Sequence, residues 1–196
     1  YVIQTVVTAL PPALSEFVVK ELIGVGAAAA RHRFGCRILC RLVEHSGLSG
    51  ELPALIGEVV AEAEELVRHP FAHHVVECAL EHMPEQRPRI AEALVADITA
   101  NAYHRCASHV VEAALLHCAE KERKMLVAGL LGQIGVVALA HHQFGCFVLR
   151  ALLRAQGPGA EEARQQLVKA AHGLGASRPG QRLIRDLGLS TAAAGA

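Results

Sequence analysis

Apolar pairs recur along this chain in one fixed arrangement. They stand at Val2-Ile3/Val6-Val7, Ile38-Leu39/Leu42-Val43, Val75-Val76/Ala79-Leu80, Val110-Val111/Ala114-Leu115 and Val148-Leu149/Leu152-Leu153, and close with Leu183-Ile184/Leu187. Spacing of i, i+1, i+4, i+5 lays one stripe along an α-helix, whereas a half-buried strand would alternate. Opposite each stripe lies a second cluster at i, i+1, i+4: Cys36, Arg37, Cys40; His73, His74, Glu77; Ser108, His109, Glu112; Cys146, Phe147, Arg150; and Gln181, Arg182, Arg185. These three positions vary in type while the stripe does not.

The segments RFGCRILCRLV (33–43), PFAHHVVECAL (70–80), RCASHVVEAAL (105–115), QFGCFVLRALL (143–153) and RPGQRLIRDLG (178–188) align without gaps, and YVIQTVV opens the chain as a truncated copy. Corresponding residues Gln4, Cys40, Glu77, Glu112, Arg150 and Arg185 are separated by 36, 37, 35, 38 and 35 positions. A period this steady marks a solenoid, in which no unit buries its own stripe and neighbours must stack. Each unit opens on a small residue: Gly35, Ala72, Ala107, Gly145 or Gly180. Between these helices run other amphipathic stretches, at Leu14–Ile23, Leu52–Val67, Arg89–Ile98, Glu120–Val136 and Ala160–Ala171, with a short feeder helix such as Ala27–His32. Turn signals at Pro11-Pro12, Gly47 to Gly50, Pro84 and Gly157-Pro158-Gly159 separate them. The expected fold is all-α, a right-handed superhelix of three-helix units shaped as a crescent. Its expected units are a partial one over 1–30, then 31–67, 68–102, 103–139, 140–175 and 176–189, with a disordered tail over Ser190–Ala196. The start at Tyr1, inside an apolar pattern and without methionine, reads as a piece of something longer.

Alanine and leucine dominate and strand-forming runs are few, which agrees with helices. Lys plus Arg and Asp plus Glu both number 19, so the formal net charge is zero and a polybasic, phosphate-driven binder is disfavoured. Six cysteines without paired C-x-x-C spacing or a signal peptide favour a reduced intracellular setting. No apolar run reaches the ~18 residues that span a bilayer.

HRFGCRILCRLVEH and RHPFAHHVVECALEH, with the period, resemble the repeat core of the Pumilio (PUF) family from Tyr1 to about Leu189. Members usually carry about eight repeats; this chain has five nearly complete ones and a partial first. The resemblance implies single-stranded RNA binding with one base per repeat. It places base stacking at Tyr1, Arg37, His74, His109, Phe147 and Arg182. All six present a flat ring or guanidinium plane, although aromatics are only 4% of the chain. Stacking on such planes is worth roughly 1–3 kcal/mol per base.

The same resemblance assigns base-edge reading to Cys36/Cys40, His73/Glu77, Ser108/Glu112, Cys146/Arg150 and Gln181/Arg185, with Gln4 alone at the start. It implies guanine at Ser108/Glu112, whose carboxylate accepts from N1–H and N2–H, and guanine again at His73/Glu77. Cytosine is implied at Cys146/Arg150, and uracil or adenine at Gln4. Cys36/Cys40 lacks a strong donor or acceptor, and Gln181 is bulky where a small or amide residue is usual; both pairs depart from the family pattern. With RNA antiparallel to the chain, the implied core is 5′-C-G-G-3′, read by Arg150, Glu112 and Glu77.

Other chemistry is weaker. Cys36 and Cys40 lie one turn apart, and His104, Cys106, His117 and Cys118 cluster in sequence. Tetrahedral zinc needs four converging ligands, and the repeat frame sends Cys106 and Cys118 to opposite ends of a helix, so no metal and no cofactor are expected. A Cys-His nucleophile lacks an orienting group and oxyanion donors, so no enzyme is expected. His32, His69, His104 and His141 recur just ahead of the reading helices and are read as capping or packing the turn; Arg33, Arg105 and Arg123 are read as solvated. The resulting expectation is a monomeric, cytoplasmic regulator of messenger RNA with protein partners on its outer face. A nucleolar role on ribosomal RNA precursors and an armadillo- or HEAT-type protein scaffold are the alternatives.

Overall fold

A computed structural model describes residues 2–45, 50–155, 157–175 and 177–187. The expected contributions of Tyr1 and of the tail over Ser190–Ala196 lie outside them. Among the described residues there are sixteen α-helices and no strand. They come in threes: α1 (Val2–Ala9), α2 (Pro12–Leu22), α3 (Gly26–Arg31); α4 (Gly35–His45), α5 (Leu52–Ala61), α6 (Ala63–Leu66); α7 (Ala72–His82), α8 (Arg87–Ala96), α9 (Ile98–Tyr103); α10 (Ala107–His117), α11 (Glu120–Gly129), α12 (Val136–His141); and α13 (Gly145–Arg154), α14 (Pro158–Lys169), α15 (Ala171–Leu174). α16 (Arg178–Leu187) closes the series.

The first helices of successive units, α1, α4, α7, α10, α13 and α16, pack side by side as one inner layer. α8 and α11 pack together in an outer layer that α14 extends, and the short third helices feed the next unit. The core lies between the layers. Leu39, Leu42, Val43, Val75, Val76, Ala79, Leu80, Val110, Val111, Ala114, Leu115, Val148, Leu149, Leu152, Leu153 and Leu183 of the predicted stripe are all buried. A fully buried side chain of this size contributes about 1.5–3 kcal/mol. The stripe fails at the first copy: Val7 is buried, but Val2 is 73% exposed and Ile3 39%, because among the described residues no helix packs on the far side of α1.

Four of the outer stretches are divided where continuous helices are predicted, Ala160–Ala171 at Ala170 between α14 and α15. Leu52–Val67 breaks at Glu62, whose backbone leaves the helical region. Arg89–Ile98 ends at Asp97, whose carboxylate turns to accept from the Ala100 N–H and caps α9. Glu120–Val136 unwinds through one π-turn, Leu130–Ile134, and stops at Gly135, which sits at φ 83°, a left-handed conformation suited to glycine.

Four of the inner helices, α4, α7, α10 and α13, are started by an imidazole. Nδ1 of His32 lies 3.4 Å from the amides of Phe34 and Gly35; that of His69, 3.2 Å from those of Phe71 and Ala72. His104 serves Cys106 and Ala107, and His142 serves Phe144 and Gly145. These amides are among those a helix start leaves without partners, and accepting from them requires a neutral ring protonated on Nε2. Capping is thus the role of the recurring histidine, but in the fourth copy the residue is His142 and not the predicted His141. Ser177 replaces histidine ahead of α16, its hydroxyl accepting from the Gly180 amide at 3.1 Å.

The residue just before each cap ties its unit to the next. Arg31 pairs with Glu62 and Glu65; Arg68 donates to Asn101 at 2.9 Å and to Asp97 at 2.8 Å. The Tyr103 ring stacks on His142 at 4.0 Å, and the His141 ring bonds the Ser177 hydroxyl. Caps and tethers together fix where each inner helix starts. Among the described residues no helix is long and apolar enough to cross a membrane.

Candidate functional site

On four successive inner helices the three variable positions share one exposure pattern. The first is buried (Cys36, His73, Ser108, Cys146), the second exposed (Arg37, His74, His109, Phe147), and the third half-buried (Cys40, Glu77, Glu112, Arg150). The helices pack side by side, and in each the first position is buried within the layer while the second projects from it. Gln181, Arg182 and Arg185 of α16 are all exposed, as no helix among the described residues covers them. Every described member of the predicted planar row therefore faces solvent.

The row is continuous at its start. Gln4, Cys36, Arg37, Cys40 and His74 line one recess of about 700 Å³ with Phe34 and Phe71. Farther along, the His73 ring lies 6.5 Å from the His109 ring and nearly parallel to it. The Arg150 guanidinium sits 5.5 Å from the Phe147 ring. Burial, then the nearby His109 and Arg37 charges, lower the pKa of His74, so stacking positions of adjacent units feel each other.

Glu77 and Glu112 dominate the electrostatics. Burial, and secondarily the facing Glu112, push Glu77 up to about 7. Burial also raises Glu112, against the pull of His109, Arg154 and Arg150. One oxygen of each, Oε1, is enclosed and has no hydrogen-bond partner among the described residues. His74 Nδ1 lies 3.6 Å from Glu77, and His109 Nδ1 lies 3.6 Å from Glu112, both beyond hydrogen-bonding reach. Two desolvated carboxylates wanting donors are costly to maintain unless a partner supplies them. His73 is held neutral, its pKa brought down to about 4 by burial.

The other predicted readers are less free. The Cys36 thiol turns back on the Arg33 carbonyl and the Cys146 thiol on that of Gln143. Gln181 donates to the Gly175 carbonyl at 2.9 Å. Arg150 is ion-paired with Asp186 on α16, a residue that sequence reasoning did not single out. Asp186 directly follows a predicted reader, Arg185, but nothing in the sequence aims it at the neighbouring unit. Cys106 and Cys118 flank opposite ends of α10, where the repeat frame puts them. A different trio converges: one ligand atom from each of His73, His74 and Glu77 lies within 4.8 Å of the others. Arg33, read as merely solvated, stacks over Phe34 at 4.6 Å.

A family model described as the Pumilio-family RNA binding repeat matches residues 30–49, 63–95, 102–131 and 135–154. The putative pumilio homolog 10 of Arabidopsis thaliana is 32% identical over 82 residues, which is 41% of this chain and 15% of that protein. PUF-8, solved in complex with PBE-RNA, superposes with a TM-score of 0.82 at 21% identity over 95% of this chain. The Puf3 RNA-binding domain bound to a Cox17 RNA 3′ UTR site superposes with a TM-score of 0.84 at 18% identity over 98%. The chain spans 57% and 56% of those two solved chains.

Proposed function

This chain belongs to the Pumilio repeat family, and on that premise we propose that it binds single-stranded RNA sequence-selectively along its inner layer, one base per repeat. The supporting observation is the planar row: Arg37, His74, His109, Phe147 and Arg182 all project to solvent from consecutive inner helices, four of them beside a buried first position and a half-buried third. Bases stack on these planes, and the flanking pair of each unit reads the edge. Glu112 and Glu77 take guanine, because their unpartnered oxygens want the N1–H and N2–H donors. Arg150, its fork oriented by Asp186, takes cytosine. Cys36 and Cys40 offer little to a base edge and select weakly, as does Gln181. The preferred core is 5′-C-G-G-3′. The role is binding and not catalysis, in control of messenger RNA after transcription, with protein partners on the outer layer.

Selection from random single-stranded RNA tests this. A short motif containing C-G-G should be enriched, and the double substitution Phe147→Ala, His109→Ala should weaken the selected RNA at least roughly 30-fold, as expected for two lost stacking contacts. With bases inward and phosphates outward on a chain of zero net charge, affinity should fall only shallowly with salt. No enriched motif, or an unchanged affinity in the double variant, refutes the proposal.

A further inference from the structure

His73, His74 and Glu77 occupy positions i, i+1 and i+4 of α7, and each brings a ligand-type atom within 4.8 Å of the others. Tetrahedral zinc separates nitrogen and oxygen ligands by about 3.4 Å, given bonds of about 2.0–2.1 Å. The His74 Nδ1 to Glu77 separation of 3.6 Å is already close to that. The His73 ring is prepared in the way metal-bound imidazoles are. Its Nδ1 lies 2.8 Å from the His69 carbonyl oxygen, which can only accept, so Nδ1 carries the proton and Nε2 keeps its lone pair. Main chain thus sets tautomer and orientation together. The remaining Glu77 oxygen is enclosed without a partner, and the Glu112 carboxylate of the next helix adds negative charge nearby.

The adjacent unit supplies an internal comparison. His109 and Glu112 stand at the same 3.6 Å separation, but Ser108 fills the first position, and no third ligand joins them among the described residues. α7 alone among the inner helices carries two neighbouring histidines at the reading positions. Imidazole and carboxylate together suit zinc and its first-row neighbours over calcium or magnesium, which prefer all-oxygen shells.

We propose that His73, His74 and Glu77 form a binding site for one divalent transition-metal ion of the zinc class, with a fourth coordination position open to solvent on the inner layer. The site stands on these side chains alone. Its consequence rests on the RNA reading above: His74 and Glu77 cannot hold the ion and a base together, so metal and RNA exclude each other at this repeat.

Titration of the RNA-free chain with zinc chloride, followed by calorimetry, should reveal one ion per chain at this site. Glu77→Gln and His74→Asn, whose side chains are partly exposed, should each weaken it roughly 100-fold or more, since even outer partners of a ligand are worth 10–100-fold. His82→Asn, at the exposed far end of α7, should leave it unchanged, and circular dichroism should confirm that all three variants are folded. Cobalt at the site should show no thiolate absorption. Zinc binding that survives Glu77→Gln and His74→Asn, a cobalt–thiolate band, or no binding by the parent chain overturns the site. In a second arm, saturating zinc should weaken binding of an RNA containing C-G-G by the parent chain and not by Glu77→Gln. Equal RNA affinity with and without zinc overturns the exclusion. A chain that takes zinc but no RNA upholds the site and refutes the reading it would regulate.

Discussion

Removing the His142 ring tests how the inner helices are held in place. This ring does two things: Nδ1 accepts from the Phe144 and Gly145 amides, both at 3.2 Å, and its face lies 4.0 Å from Tyr103 of the preceding unit. Loss of a helix cap costs about 1 kcal/mol, and loss of an aromatic contact about 0.5–1.5 kcal/mol. His142→Ala should therefore destabilise the chain by about 2 kcal/mol, or about 4–8 °C in Tm for a chain of this length. His142→Ser should recover the cap alone, because Ser177 fills that role ahead of α16, and so should lose about half as much. Urea unfolding followed by circular dichroism measures both, and amide exchange at Phe144 and Gly145 reports the cap directly. The same bond sets a pH dependence. Burial lowers the pKa of His142 in the folded chain below the ordinary value of about 6.5, so the unfolded chain takes up its proton first. The contribution is complete above about pH 6.5 and is lost as pH falls from there through the folded value. The parent should lose more stability than His142→Ala between about pH 7 and pH 5. An alanine variant as stable as the parent, or one with an equally steep acid limb, would show that the imidazole caps nothing of consequence.

Three further outcomes follow from particular contacts. Gly35→Ala would place a Cβ 2.3 Å from the Ala29 carbonyl oxygen and should cost about 1–3 kcal/mol, while Gly57→Ala, which meets nothing within 4 Å inside α5, should be neutral or stabilise by up to about 1 kcal/mol; denaturant midpoints decide it. Asn101→Ala strips the Leu94 carbonyl of its 3.0 Å donor and Arg68 of its 2.9 Å acceptor, and should cost about 2–3 kcal/mol in the same assay. Glu112→Gln should lose the preference for guanine at one base of the selected motif and leave the neighbouring bases unchanged, as read by repeating the RNA selection on the variant.

What the sequence makes legible is what one helix decides by itself. The stripe through Leu39, Val76, Val111 and Leu149 follows from helical spacing and is buried as predicted, and Arg37, His74, His109 and Phe147 fall on the open side by the same arithmetic. Relations between units are less visible. The cap in the fourth copy falls on one of two adjacent histidines, and only the distance of three residues to Gly145, matching His32 to Gly35, separates His142 from His141. Asp186 meets Arg150, and Glu77 faces Glu112, only because α13 packs on α16 and α7 on α10. The breaks at Glu62 and Gly135 leave the apolar pattern uninterrupted, so periodicity passes over them. Search for four metal ligands of the cysteine–histidine kind likewise passes over His73, His74 and Glu77, which are three and include a carboxylate.

The two carboxylates also make zero net charge compatible with the proposed RNA binding. A surface built to hold phosphate would not bury Glu77 and Glu112 on adjacent helices, each with an oxygen lacking a donor, because anions would be repelled where they should be held. Burial has already removed the water that would otherwise satisfy those oxygens, so the chain carries the desolvation cost before any partner arrives. Only a group that brings positive character or hydrogen-bond donors to that spot recovers the cost. A guanine edge does so with two N–H groups, a divalent ion does so with charge, and a phosphate does neither. On the proposed reading, selectivity is set less by attraction to a polyanion than by two acceptors that reject whatever cannot donate to them.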